Sequence, residues 1–254
     1  MVSPHEDTAV AGSQQAGPRS GKQQKKPLPL WQETILLLVT ALVLAVVVKS
    51  FFVQAFFIPS SSMEPTLIGS PNGPNDRILV QKVSYWSGDI DRGDIVVFDD
   101  PGGWLPASES QQPHNVVQRS LEVFGLYPTG GHLIKRVIGV GGDRVECCDR
   151  KGRVEVNGVS LDEPYLADQT SNQDEPFDVE VPEGYLWVMG DNRGNSADSR
   201  AHQGDPGGGF VDEGEVVGKA WIKVWPFGRA GSIDEPSVFD DPALDQQETA
   251  PRQK

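Results

Sequence analysis

The chain alternates between two kinds of hydrophobic pattern. From Leu30 to Val48 the sequence "LWQETILLLVTALVLAVVV" is almost continuously apolar, with Gln32 and Glu33 in its first turn. Nineteen helical residues cover about 28 Å at about 1.5 Å each, close to the roughly 30 Å hydrocarbon layer of a bilayer. The pattern predicts a transmembrane helix over residues 30–48, with Trp31 at one interface and Lys49 snorkelling at the other. A cleaved secretory leader fits less well, because the run is too long and continues into "KSFFVQAFFIPS" without a small-residue cleavage site. Beyond it, apolar residues come in short runs rich in Val, Ile, Tyr and Trp: "DRILVQKVSYW", "GDIVVF", "HLIKRVIGV", "DRVECCD", "GRVEVNGVSL", "GYLWVMGD" and "GKAWIKVWPF". Bounded by Gly, Asp, Asn or Pro, these predict antiparallel strands, and Asn157-Gly158 between two of them predicts a hairpin turn that needs φ > 0 twice.

The remaining segments lack such patterning. Residues 1–29, rich in Gly, Ser, Gln and Pro, are expected to be disordered, as is the acidic tail 231–254. Within the β region, residues 99–132 read as an insertion: a mobile loop over 99–115, then Val116, Val117, Leu121 and Phe124 at helical spacing. Residues 146–186 suggest a small β subdomain inside a larger domain spanning 49–230. Arg19, Lys22, Lys25 and Lys26 precede the apolar helix, and after Lys49 the next basic residue is Arg77. The positive-inside rule places the tail in the cytoplasm and the β domain outside the cell membrane.

Charge and cysteine content narrow the function. A formal net charge of -14 on 254 residues argues against a nucleic-acid partner. The two cysteines, Cys147 and Cys148, are adjacent and supply no zinc spacing, so neither a metal nor a cofactor is expected. Successive side chains on a strand point to opposite faces, which favours two free thiols over a vicinal or intermolecular disulfide.

Three polar blocks could carry chemistry. "IPSSSMEPTL", Ile58 to Leu67, sets three serines between prolines; by itself it reads as a solvated linker. The four histidines, His5, His114, His132 and His202, lie in tail, loop or insertion sequence, and no G-x-S-x-G elbow accompanies them, so a Ser-His-Asp triad is disfavoured. Lys135 interrupts an apolar strand; it either snorkels outward, the reading the pattern prefers, or is buried and becomes a usable base. "GDNRGNSADSR", Gly190 to Arg200, reads as a tight polar turn, or as a buried network of carboxylates with Arg193 and Arg200.

The order of these blocks is more informative than any one of them. An apolar helix, "PSSSMEPTL", "RGDIVVF", "IKRVIGVGGD" and "GDNRGNSADSR" follow one another in a succession that resembles the type I signal peptidases, membrane-bound Ser-Lys proteases; "ECCD" and "VNGVSLDEPYL" resemble an actinobacterial version. The resemblance spans about Leu30 to Gly228. It implies a mainly β, antiparallel signal-peptidase or SOS-repressor-type protease fold, and a serine endopeptidase that removes signal peptides from exported preproteins after Ala-x-Ala-like sites. Matched onto this chain, it implies Ser62 as nucleophile, Lys135 as general base, and Ser60 with the Ser62 backbone N–H as oxyanion hole. Ser61 falls on a variable position. Ser196 is implied to orient the lysine, and Arg136, Asp191, Asp198 and Arg200 to form the structural network. Substrate pockets are implied at Phe56, Ile58, Pro59, Met63, Leu67, Leu133 and Ile134. Gly194 departs from the family pattern, where many members carry Asp. The implied partners are signal peptides and the lipid bilayer, with the enzyme acting as a monomer. A self-cleaving repressor would carry a DNA-binding domain in place of the apolar helix, and a binding module would use the serines only as a linker.

Overall fold

A computed structural model describes residues 29–70, 73–82, 88–105, 131–168 and 176–245, without the side chains of 46–51. The N-terminal tail with its basic cluster, His114, the helix-spaced stretch 116–124 and residues 246–254 lie outside the described residues. Contacts divide the chain into two units, residues 1–42 and 43–254.

Helix α1 runs Leu30–Phe52. Its apolar side chains, among them Ile35, Leu38 and Leu42, are exposed. Among the described residues no helix is long and apolar enough to cross a membrane.

The second unit is built from two antiparallel sheets. Strands β1 (Val53–Phe57), β2 (Arg77–Gln81), β3 (Ile95–Asp99), β4 (His132–Gly139), β9 (Tyr185–Met189), β10 (Val211–Asp212) and β11 (Val216–Trp225) lie in the order β1-β2-β11-β3-β4-β9-β10, and β12 (Gly231–Ser232) pairs with β11. The smaller sheet has the order β7-β6-β5-β8, from β5 (Arg144–Cys147), β6 (Val154–Val156), β7 (Val159–Ser160) and β8 (Phe177–Glu180). Its β6–β7 hairpin turns at Asn157, φ 52°, and Gly158, φ 79°, the pair of positive angles the Asn-Gly sequence favours.

Side-chain alternation along the strands divides the apolar residues among three clusters. One joins Ile58, Met63 and Leu67 to Ile78, Val80, Ile95, Val97 and Ile134. A second joins Val96, Phe98, Trp104, Leu133, Val137, Leu186 and Val188. The third packs the small sheet, through Val145, Val156 and Phe177, against Ile138, Trp187 and Met189.

Two expectations need correction. The acidic tail is not disordered from its start: Ile233 N–H donates to Trp221 O at 2.9 Å, Phe239 packs against Gly93, and Leu244 is fully buried with the small-sheet core. A few apolar residues inside a charged stretch suffice, because Asn157 Nδ2 donates to Leu244 O at 2.7 Å and Arg92 Nη1 pairs with Asp245 at 2.8 Å. The cysteines are joined as a vicinal Cys147–Cys148 disulfide, not free thiols. Cys147 ends β5, so the alternation that separates successive side chains stops there.

Candidate active site

The site forms where β4 meets the turn that follows β1. Ser60 is extended, and Ser61–Met63 then make a single 3-10 turn, with Ser62 and Met63 buried. Met63 enters the Ile58 cluster and tethers the turn to the core. Two glycines let the chain come this close. A Cβ on Gly69 would stand 2.1 Å from Ser60 O, and one on Gly190 would stand 2.5 Å from Ser62 O and 2.3 Å from Ser196 Oγ. Asn192 closes the contact from the other side, its N–H donating to Ser62 O at 3.0 Å and its Nδ2 to Ser61 O at 3.1 Å.

Within this frame Lys135 Nζ donates to Ser62 Oγ at 2.9 Å. Ser60 Oγ lies 3.3 Å from the same oxygen. Lys135 is only 4% exposed, so the snorkelling alternative does not apply. Burial pushes the ammonium down to about 8, against the smaller opposing effects of Asp198 and Asp191. A neutral amine is therefore accessible near neutral pH.

Two buried ion pairs flank the lysine. Asp191 accepts from Arg136 Nε at 2.8 Å and Nη2 at 2.7 Å, and from Thr66 Oγ1 at 2.6 Å. Arg136 Nη1 continues to Gly93 O at 2.8 Å, and its guanidinium lies 4.3 Å from the centroid of the Tyr165 ring. Asp198 accepts from Arg200 Nε at 2.8 Å and from Gly190 N–H at 3.0 Å. Burial opposes ionisation of Asp198, but Arg200 outweighs it and holds the carboxyl low. Arg193, which the polar block offered alongside Arg200 as a network member, is buried against Glu163 with Nη1 at 3.0 Å. The network thus reaches further than Arg136, Asp191, Asp198 and Arg200. Thr66, Asn192, Glu163 and the close-approach glycines had no separate signal beyond lying in or near the polar blocks.

Some predicted residues fall differently. Ser196 makes no hydrogen bond to Lys135; its Oγ is buried without a partner beside Gly190. Gly194 sits exposed in a short turn, Arg193–Asn195. Ile134 belongs to the Ile58 cluster whereas Leu133 belongs to the Trp104 cluster, so the two project from opposite faces of β4 and do not share one pocket wall. A cavity of about 530 Å³ runs over Ser62 and Lys135, with Pro59, Ile134 and Leu133 among its walls, and Phe56, Ile58, Met63 and Leu67 lie behind that surface. His132 faces Asp99 at 2.6 Å and the Phe56 ring, and His202 bonds Asp205 at 2.7 Å; neither hydrogen-bonds Ser62.

The profile of the family described as signal peptidase, peptidase S26, matches residues 31–225. The chain belongs to the signal peptidase family. A probable signal peptidase I of Mycobacterium leprae is 40% identical, the match covering 83% of this chain and 81% of that one. Signal peptidase I of Mycobacterium tuberculosis (strain CDC 1551 / Oshkosh) is 39% identical over 89% of this chain and 84% of that one. Probable signal peptidase I-2 of a Synechocystis strain is 34% identical over 90% and 93%. The chain accordingly has signal peptidase I activity, a serine endopeptidase activity that removes signal peptides from preproteins, on a mainly β antiparallel fold of two sheets. Signal peptidase I is a membrane-associated family.

Proposed function

We propose that Ser62 is the nucleophile of this signal peptidase and Lys135 its general base. The single observation that supports this reading is the 2.9 Å contact between a buried lysine amine and a serine hydroxyl. In its neutral form Nζ accepts the proton of Ser62 Oγ as that oxygen attacks the scissile carbonyl. The resulting ammonium returns the proton to the departing amine, and the amine then activates the deacylating water. Negative charge on the tetrahedral intermediate meets the Ser60 hydroxyl and the Ser62 backbone N–H. The latter lies in the first turn of a 3-10 segment, where backbone donors have no partner within the turn.

Arg136, Asp191, Asp198 and Arg200 hold this arrangement. Burial lowers the basicity of the lysine, Asp198 and Asp191 raise it and Arg200 lowers it, and burial outweighs the charges. Ser196, with its hydroxyl buried in the adjoining turn, is the group proposed to orient the amine during proton transfer.

The substrate binds as an added strand along β4, so that main-chain hydrogen bonds supply affinity and alternate side chains enter apolar pockets. Ile134, backed by Ile58, Met63, Leu67 and Phe56, and Pro59 at the rim form an apolar wall, which fits the apolar methyl groups of an Ala-x-Ala site. The apolar run 30–48 spans the membrane with the N-terminus cytoplasmic, following the positive-inside pattern, and Ser62 follows only fourteen residues after Val48 in sequence.

Incubating the detergent-solubilised enzyme with a preprotein and mapping the cut by mass spectrometry tests the reading. Cleavage after an Ala-x-Ala site, abolished by Ser62→Ala and by Lys135→Ala and unchanged by His132→Ala, is the expected result. Retained cleavage in either of the first two variants would sink the dyad.

A further inference from the structure

Among the described residues, half of one edge of β4 has no strand partner. Arg136, Val137 and Gly139 pair with β9, whereas His132 to Lys135 pair only with β3. Main-chain directions along this stretch follow from its two ends. Val137 N–H donates to Asp94 O at 2.8 Å and Val137 O accepts from Gly93 N–H at 2.8 Å, while Gly131 O accepts from Asp100 N–H at 3.0 Å. Antiparallel alternation then turns the groups of Leu133 and Lys135 toward β3, and those of His132 and Ile134 toward the open edge.

A peptide laid along that edge sends successive side chains to opposite faces. The two small residues of an Ala-x-Ala site share the Ile134 face, so the residue between them faces Leu133. Trp104 and Leu105 belong to the same cluster as Leu133 and also line the cavity.

Trp104 is held there by several independent contacts. Its ring stacks on His202 with centroids 4.4 Å apart and planes 8° from parallel, and stands edge-on to Phe98 at 5.9 Å. His202 is in turn fixed by Asp205. The loop that carries the indole is tied by Asp100, which accepts from the N–H of Gly102, Trp104 and Leu105 at 3.1, 3.0 and 3.3 Å. A rigid aromatic wall of this kind offers contact area at low entropic cost.

We propose that Trp104, together with Leu105 and Leu133, forms a third subsite that reads the side chain between the two small residues and favours an apolar one. Glycine there makes no contact with the wall, and aspartate loses its hydration against it. The inference rests on the strand-addition reading above.

The test uses the full-length enzyme in detergent micelles and synthetic signal-peptide substrates that differ only at the middle position: Gly, Asp, Leu or Phe between two alanines. Leu and Phe substrates should show kcat/KM roughly tenfold above Gly and Asp. Trp104→Ala should compress that spread to about twofold, mainly by raising KM for the Leu and Phe substrates, and Trp104→Phe should keep part of it. Leu105→Ala, at a half-buried position, provides a second variant in case Trp104→Ala does not fold, and should also compress the spread. A flat wild-type profile, or variants that slow every substrate by one common factor, would overturn the subsite. Substrates with Leu at either flanking position report separately on the strand-addition reading: their refusal upholds it even where the middle-position profile is flat.

Discussion

Lys135 Nζ and Ser62 Oγ stand 2.9 Å apart although 73 positions separate them in sequence, one on β4 and the other in the turn that follows β1, a strand four places from β4 in the main sheet. The approach is fixed by strand register on one side and by glycine-permitted packing on the other. A protein that buries a lysine without a carboxylate directly on its amine has lowered the pKa of that amine, and the consequences of this geometry can be measured.

The first is a pH profile. Only the neutral amine can take the Ser62 proton, and burial places its pKa at about 8. Single-turnover cleavage should rise about tenfold per pH unit below that value and level off above it, so the rate at pH 6 should be about a hundredfold below the plateau. Lys135→Arg, which retains charge but cannot deprotonate, should be inactive at every pH. A plateau reached already near pH 7 would point to a base with a lower pKa.

Ser60 can be separated from Ser62 kinetically. Loss of one oxyanion donor typically costs 10²- to 10³-fold in kcat. Ser60→Ala should therefore lower kcat by about that factor with little change in KM, and Ser60→Thr should restore most of it. Ser61→Ala should be nearly silent, because the Ser61 hydroxyl does no more than accept from Asn195 Nδ2 at 2.8 Å at an exposed position. Equal effects at positions 60 and 61 would remove the oxyanion role.

Gly190→Ala should damage catalysis without any change of chemical group. The added methyl would meet Ser62 O at 2.5 Å and Ser196 Oγ at 2.3 Å, and displacing a nucleophile by about 1 Å can cost about a hundredfold. Gly204→Ala is the control, since nothing lies within 4 Å of its Cβ. Full activity in Gly190→Ala would show that the serine turn can shift without consequence.

The C-terminal segment should contribute to stability through packing more than through charge. Leu244 is fully buried, so Leu244→Ala should cost about 2–4 kcal/mol and lower Tm by about 5–15 °C. Asp245→Asn removes one partner of an ion pair whose carboxylate is 75% exposed, and should cost less than about 1 kcal/mol. Thermal unfolding of the two variants distinguishes these contributions. An unchanged Tm in Leu244→Ala would mean that the segment is detached in solution.

The strands were largely legible because each announces itself locally. "HLIKRVIGV" and "GYLWVMGD" carry β-branched and aromatic residues between turn formers, and Asn157-Gly158 specifies its own backbone angles. The site was legible only as an ordered set of polar blocks matching a family. Pattern alone set Lys135 outward, since a lysine in a strand usually snorkels, and it left the block from Gly190 to Arg200 open between a polar turn and a buried network without choosing the one that sets Asp198 and Arg200 near the lysine. The packed tail escaped notice because its apolar residues, Val238, Phe239 and Leu244, are too few and too widely spaced among acids to form a periodic pattern.

By itself the sequence determined the apolar N-terminal run, the antiparallel β character, the hairpin at Asn157 and the family to which the chain belongs. These rest on local propensity and motif order, which are written in neighbouring residues. Tertiary structure alone decided that Lys135 is buried against Ser62, that Leu133 and Ile134 face different sides of β4, that Trp104 walls the cavity, and that the tail closes over the small sheet. Each of those depends on which face of a strand meets which partner. That is settled by the register and packing of segments far apart in the chain, and no short stretch of sequence carries it.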